Sequence, residues 1–492
     1  MRLLHTSDWH IGRRFKGMDL GEYQRRALDW VADTIEREHV DVLCVSGDVY
    51  DQPRPSAAAV QLFAPVFERL ASMRVDGRPL EVVFTPGNHD SAERLGFGAG
   101  AMVSNMHMRC RIEDVATPVV VERGGETLAI YAVPYLDPDA ARPVLTGMLR
   151  RLREDRGGVA SDRVGSEDVK ATVAETGSDQ PDVYGIPSLL LQNDSDLLIP
   201  RSHEGVMTAA MTLVTRDLAE RRRRNPRLGA VLMAHAFVSG AMPSDSERTI
   251  TVGGVDSVPA GLFTDCGLDY LALGHLHRPQ RVMIPLPDAD HEPTFRLGRT
   301  PLARYSGSLL SYSFSEAPAV PRLGNGKQVA IVDFAADGAS NAGGTGVRDV
   351  ATPDVQSGQP ALVTVRGDLE YVLGDVADEH RDDWVSVTVE YDEYPRGLYE
   401  KIDGRYPHAL EKQAVCVAQR DGAGRSMVDL REVHDEMDVL DGFVRYTLGR
   451  APHDDEAAVL RAAVERARAS SEEYAGADGG HVDGNSGEEA AR

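Results

Sequence analysis

Residues 2–10 read RLLHTSDWH, and later parts of the chain repeat their form. A short apolar run, Arg2–Thr6, leads straight into two side chains able to bind a cation, Asp8 and His10. Four further runs do the same. Asp41–Val45 leads into Asp48 (SGDVYD), and Glu81–Thr85 into Asn88 and His89 (GNHD). Leu228–Met233 leads into His235, and Asp269–Leu273 into His275 and His277 (GHLH). Val- and Leu-rich runs of this length, bounded by Gly and Pro, are expected to be buried strands. Between the first two runs, Leu28, Val31, Ala32 and Ile35 mark one face of a helix. That predicts a βαβ unit and a largely parallel sheet. Sites in open α/β sheets lie beyond the carboxyl ends of the strands, so the five groups should converge on one rim.

The residue types on that rim suit two divalent cations better than one. Cations about 3.5–4 Å apart repel each other and need an anionic bridge; the central Asp48 is the candidate. Imidazole mixed with carboxylate favours Mn²⁺, Fe or Zn over Mg²⁺. Such a pair can activate water and neutralise the oxygens of a phosphate ester. His89, directly after Asn88, is suited to donate to a phosphoryl oxygen or to protonate the leaving oxygen. Asp51 is expected to accept the other N–H of His89 and fix its tautomer. A lone D-x-H or G-N-H is a common chance pattern, and paired histidines at strand ends are often plain rim residues. Five such groups in this order, each after a strand-like run, are not.

At this point the chain resembles the calcineurin-like metallophosphoesterases. Their pattern is matched by Asp8-x-His10, Gly47-Asp48-x-x-Asp51, Gly87-Asn88-His89-Asp90, the lone His235, and Gly274-His275-x-His277. LHTSDWHIG at the start, Arg54–Ser56 (RPS), and Tyr305-Ser-Gly-Ser308 further resemble the Mre-eleven/SbcD branch of DNA double-strand-break repair nucleases. The resemblance covers residues 1–110 and 228–315 well and the rest loosely. It implies an α/β fold, a β-sandwich flanked by helices with a smaller α+β capping domain and C-terminal helices. It also implies that one Mn²⁺ is held by Asp8, His10, Asp48 and His277, and a second by Asp48, Asn88, His235 and His275, with His89 catalytic and not a ligand. The implied partners are DNA ends, a second copy of the chain, and a Rad-fifty/SbcC-type ATPase gripped by the C-terminal helices.

At 492 residues the chain is too long for one typical domain. Nothing approaches eighteen consecutive apolar residues, so no membrane span is expected. No signal peptide is expected either, because the first strand carries ligands within ten residues of Met1. The four cysteines, Cys44, Cys110, Cys266 and Cys416, are scattered without a C-x-x-C, which fits a reducing cytoplasm. The formal net charge of −24 is unusual for a nucleic-acid enzyme. Only five residues are lysine. An acid-rich, lysine-poor surface suits a cytoplasm of very high salt, where phosphate contacts are weak in any case, and points to a halophilic archaeon. The bland alternative is that the charge only keeps the protein soluble. Arg13, Arg14, Lys16 and Arg54 lie beside the first two motifs, where they can face a phosphate backbone. Arg221–Arg224 ends an amphipathic stretch, where cations also serve a helix C-terminus.

The expected organisation is a nuclease domain over 1–315 with an acidic, solvated insertion at 155–183, followed by a DNA-guiding capping domain over 320–425. A helical partner-binding segment over 428–473 and a disordered acidic tail over 474–492 complete it. Val329–Phe334, Ala361–Val365 and Val385–Tyr391 are expected to be strands of the capping domain. Ser56–Met73 should be a helix whose stripe, Val60, Phe63, Val66, Phe67 and Leu70, is either core or a homodimer face. Leu430, Val433, Met437, Leu440 and Val444 form a helical stripe, and Asp454–Glu456 starts a second helix with Leu460, Ala463, Val464 and Ala467. Three functions fit the metal set: a Mn²⁺-dependent DNA exo/endonuclease, a phosphomonoesterase or protein phosphatase on the same metals, and a scaffold for the ATPase. The capping domain and C-terminal helices favour the nuclease.

Overall fold

The computed structural model describes residues 1–161, 186–192, 196–247, 257–287, 293–318, 323–335, 346–417, 437, 440, 442, 444 and 450–477. They fall into two units, Met1–Leu362 and Val363–Arg492. The principal strands of the first unit are β1 (Arg2–Thr6), β2 (Val42–Ser46), β3 (Glu81–Thr85), β4 (Met106–Met108), β5 (Val119–Arg123) and β6 (Glu126–Val133). They continue with β7 (Gly229–His235), β8 (Tyr270–Gly274), β9 (Gln280–Val282), β10 (Leu302–Tyr305), β11 (Ala330–Phe334) and β12 (Val347–Ala351).

Two six-stranded sheets result, ordered β12-β11-β1-β2-β3-β4 and β9-β10-β8-β7-β6-β5. Within the first, β1, β2, β3 and β4 run parallel; within the second, β6, β7, β8 and β10 do. The helix Gly21–Arg37 makes the expected crossover from β1 to β2, burying Leu28, Val31, Ala32 and Ile35. The sheets share one buried layer, in which Leu3, Val42, Cys44 and Val83 of the first meet Ile130, Val231, Met233 and Tyr270 of the second. Alternate residues of each strand face the other way, onto helices. That is why these strands read as continuous apolar runs and not as alternating ones. The helix His203–Arg224 seals the outer face of the second sheet through Val206, Ala210, Val214 and Leu218. The expected mixed α/β sandwich flanked by helices is therefore present.

Two expectations need correction. The run at 329–334 does not open a second domain: β11 pairs antiparallel with β1, Leu3 opposite Val332, and Arg2 bonds Asp333 at 2.7 Å. The first unit thus extends to Leu362 and not to 315. The apolar alternation of such a strand shows that it pairs, but not with what, and its partner lies over three hundred residues away. The acidic stretch begins inside a helix, Pro138–Ser161; residues 162–183 lie outside the described residues. The helix Ala57–Ser72, capped by the Ser56 hydroxyl accepting from Ala59 N at 3.2 Å, buries Phe63, Val66 and Leu70. Of the stripe, these three are core, whereas Val60 is exposed, like the neighbouring Ala64, and Phe67 is half-buried.

Apart from the boundary residue Leu362, the second unit holds a three-stranded sheet, β13 (Leu362–Gly367), β14 (Trp384–Tyr391) and β15 (Ala409–Cys416), in that order. Val387, Val389, Ile402 and Tyr406 form its core with the helix Leu398–Arg405. Of the first C-terminal stripe, Met437, Leu440 and Val444 are helical and half-buried, while Leu430 and Val433 lie outside the described residues. The second helix runs Asp454–Ala477, so it takes in the first residues of the expected tail; residues 478–492 lie outside the described residues. Its Leu460 and Val464 are only half-buried, and Ala463 is exposed. Among the described residues, no helix is long and apolar enough to cross a membrane.

Candidate metal centre

The carboxyl ends of β1, β2, β3, β7 and β8 deliver every expected ligand to one place. Asp8, His10, Asp48, His89, His235, His275 and His277 are all at most 5% exposed. Two groups of donors are visible. In one, His10 Nε2 lies 2.9 Å from His277 Nε2, with Asp8 beside them. In the other, Asn88 Oδ1 lies 2.9 Å from His235 Nε2 and 3.3 Å from His275 Nδ1. Asp48 Oδ2 stands between the groups, 3.5 Å from His10 Nε2 and 3.4 Å from His235 Nε2. One carboxylate oxygen nearly equidistant from both sets of imidazoles is the arrangement a bridging ligand requires. Ring nitrogens turned toward each other at 2.9 Å cannot both carry protons, so this donor set fits divalent cations well. Among the described residues, three overlapping His/Asp groups are close enough to hold one.

The backbone explains the motifs. Asp8, His10, Asp48 and His275 all have positive φ (53°, 44°, 50° and 108°), a sparsely populated region for residues with a Cβ. Such strain gathers at functional sites and persists only where the surroundings hold it. The glycines of the later motifs permit close approach. A Cβ on Gly87 would collide with the Asp48 carboxylate, and one on Gly274 with the Ser46 carbonyl.

Two of the histidines are oriented by their far nitrogens. His235 Nδ1 donates to the Ser46 carbonyl at 3.0 Å and His89 Nδ1 to the Asp51 carbonyl at 2.8 Å. Each ring therefore directs Nε2 away from the carbonyl that holds it. Burial lowers His10 to about 3 and holds His275 well below its ordinary range, so both are neutral donors. Burial also lowers His235, but the Asp48 carboxylate outweighs it and carries the imidazole up to about 9. Burial would raise Asp48, yet His235, His10 and His89 together hold its carboxyl well below the usual range.

Asp51 departs from its expected role. Its backbone carbonyl, not its carboxylate, orients His89; the carboxylate lies 3.8 Å from His89 Nδ1 and 3.4 Å from His10 Nδ1. Arg13 also departs from expectation: it donates to the Ser246 carbonyl at 2.7 Å and lies over the Tyr312 ring, whereas Arg14, Lys16 and Arg54 are exposed. Arg222 is drawn inward to Asp269 at 3.1 Å, so the arginine run at 221–224 is at least partly structural.

Several supporting residues had no expected role. Asp90 accepts from Val49 N, Tyr50 N and Gly87 N, tying the Asp48 loop to the Asn88 loop. Burial and the nearby Asp48 charge push it up to about 7. The 305–308 motif braces three ligand loops. Tyr305 Oη donates to Ala236 O at 2.7 Å, Ser306 Oγ meets Ser7 Oγ at 2.9 Å beside Asp8, and Ser308 N donates to His277 O at 3.1 Å. The YSGS pattern itself was the available signal there; for Ser246, Glu316 and Lys327, which surround His277, there was none.

Residues 1–279 match the calcineurin-like phosphoesterase family, and the chain belongs to it. The chain is 31% identical over 336 residues to the SbcD component of the nuclease SbcCD from Bacillus subtilis, a match covering 68% of this chain and 66% of that protein. The chain thus spans just under two thirds of that relative's length. Among solved structures it is similar to TT1561 of Thermus thermophilus (10% identity, TM-score 0.32, 72% of this chain and 99% of that one). It is equally similar to GAP50, the anchor in the inner membrane complex of Plasmodium (10% identity, TM-score 0.32, 72% and 89%). Both likenesses are too distant to carry an argument.

Proposed function

We propose that this chain is the nuclease subunit of a DNA-end-processing complex, hydrolysing phosphodiester bonds with two Mn²⁺ ions. The observation that carries the proposal is the placement of Asp48 Oδ2 between two sets of imidazole donors, together with the likeness to a nuclease component. In this reading Asp8, His10, Asp48 and His277 hold one cation, and Asp48, Asn88, His235 and His275 the other. When bound, the pair supplies a nucleophile at neutral pH and neutralises charge on the phosphate. The protein's own part is positioning. The Ser46 and Asp51 carbonyls hold the Nδ1–H groups of His235 and His89, so His89 Nε2 is turned toward the phosphate and, when the ring carries a second proton there, gives it to the leaving oxygen. Asp51 supports His10 and His89 without touching substrate.

The rest of the chain would serve that chemistry as follows. The unit beginning at Val363 guides DNA, and the C-terminal helices bind an SbcC/Rad-fifty-type ATPase by helix-in-groove packing. Two copies of the chain meet through the outer face of the helix Ala57–Ser72, where Val60, Ala64 and Phe67 are not core. The deciding experiment incubates labelled double- and single-stranded DNA with the protein and Mn²⁺ in high salt, beside a generic phosphomonoester. Shortened DNA with an intact monoester supports the reading. Monoester turnover with intact DNA makes the protein a phosphatase, and no turnover of either leaves a scaffold.

A further inference from the structure

Behind His277 sits a buried ion pair that the chemistry above does not use. Glu316 and Lys327 have side chains 0% and 1% exposed and bond directly to each other. A buried ion pair adds little net stability compared with apolar packing, so its position next to a ligand calls for another account. The Ser246 hydroxyl bonds the same carboxylate, and Ser246 Oγ lies 2.5 Å from His277 Nδ1. Lys327 Nζ also donates to His277 O at 2.8 Å, and the Glu247 carboxylate accepts from His277 N at 2.7 Å.

The direction of each proton is forced. Glu316, paired with a buried ammonium, is an acceptor only. Ser246 has one hydroxyl proton; Ser244 Oγ, 3.0 Å away, gives its own proton to Glu247, and Ser246 gives its proton to Glu316, the closer and charged acceptor. Its oxygen must then accept from His277 Nδ1–H, which leaves Nε2 with its lone pair facing His10 Nε2.

We propose that Lys327, Glu316 and Ser246 form a proton-ordering relay that fixes His277 as the Nδ1–H tautomer and so presets its Nε2 as a cation ligand. The inference rests on the two-cation reading. Ser246, Glu316 and Lys327 are positioning residues; the relay touches neither substrate nor the phosphate. Outer partners of this kind are worth roughly 10- to 100-fold in metal affinity.

The test uses the full chain with ¹⁵N-labelled histidine. Long-range ¹⁵N–¹H spectra of cation-free protein should show His277 protonated at Nδ1. In Ser246→Ala the tautomer should become mixed, and calorimetric Mn²⁺ affinity should fall roughly 10- to 100-fold at one of two sites. Ser246→Thr, which keeps the hydroxyl, should restore both readouts. The paired variant Glu316→Gln/Lys327→Met removes the charges together, leaving no buried ion alone, and should behave like Ser246→Ala. A His277 carrying its proton on Nε2 in the wild type, or unchanged tautomer and affinity in Ser246→Ala, overturns the relay. If the wild type binds no divalent cation, the two-cation reading fails, and the cation-free spectra still decide the tautomer.

Discussion

The two sheets contribute different chemistry to the rim. The first brings the carboxylates Asp8 and Asp48, the Asn88 amide, and His10 and His89; the second brings imidazoles alone, His235, His275 and His277. The first sheet therefore sets how much positive charge the rim can hold, and the second completes shells without adding anionic ligands. Removing one ligand from each sheet separates their roles most sharply. Asp48→Ala should lower bound Mn²⁺ from two per chain to none and abolish hydrolysis, because the bridge serves both sites. His277→Ala should lower it only to one. Elemental analysis of the purified variants checks this, and equal losses would show that Asp48 does not bridge.

Next in size is a contrast on the helix Ala57–Ser72. Phe63 packs edge-on against Trp9 and Phe84, so Phe63→Glu forfeits about 3–5 kcal/mol of packing and buries a carboxylate besides. It should give unfolded or aggregated protein. Val60→Glu, on the exposed side, should keep the wild-type melting midpoint and yield monomer on light scattering if this face joins two copies. A folded Phe63→Glu protein would mean the helix does not pack as described.

A third test concerns the line where the sheets meet. Gly274→Ala drives a methyl onto the Ser46 carbonyl and should destabilise by about 1–3 kcal/mol as overpacking. Gly100→Ala enters open space and should stay within about 0.5 kcal/mol of wild type. Equal midpoints for the two would show that the sheets can part at no cost. The smallest effect is expected at the far end. Truncation after Val428 should leave the midpoint nearly unchanged, since Leu460 and Val464 of the last helix are only half-buried. Association with the ATPase should be lost. A fall of several degrees would show instead that these helices pack on the second unit.

The same contrast between the sheets and their surroundings explains what could be read from sequence. Ligands that must sit at the ends of buried parallel strands follow continuous apolar runs, so β1, β2, β3, β7 and β8 each announced a ligand. The motif glycines were legible for the same reason, since a Cβ at Gly87 or Gly274 has no room. Pairing partners were not legible: β11 joins β1 through a register that no local pattern records. Nor was the choice between backbone and side chain at Asp51, where the carbonyl reaches His89 and the carboxylate turns to His10. Ser246 and Lys327 are single residues in irregular segments and Glu316 ends a one-turn helix, Phe314–Glu316, with neither period nor motif to mark them.

On the proposed reading, His89 acts on the phosphate and the other rim residues hold the cations. The most direct test is the metal content and DNA cleavage of His89→Ala, measured on the same purified sample. Two Mn²⁺ per chain and no cleavage are expected. Loss of half or more of the metal would contradict that reading and make His89 a ligand.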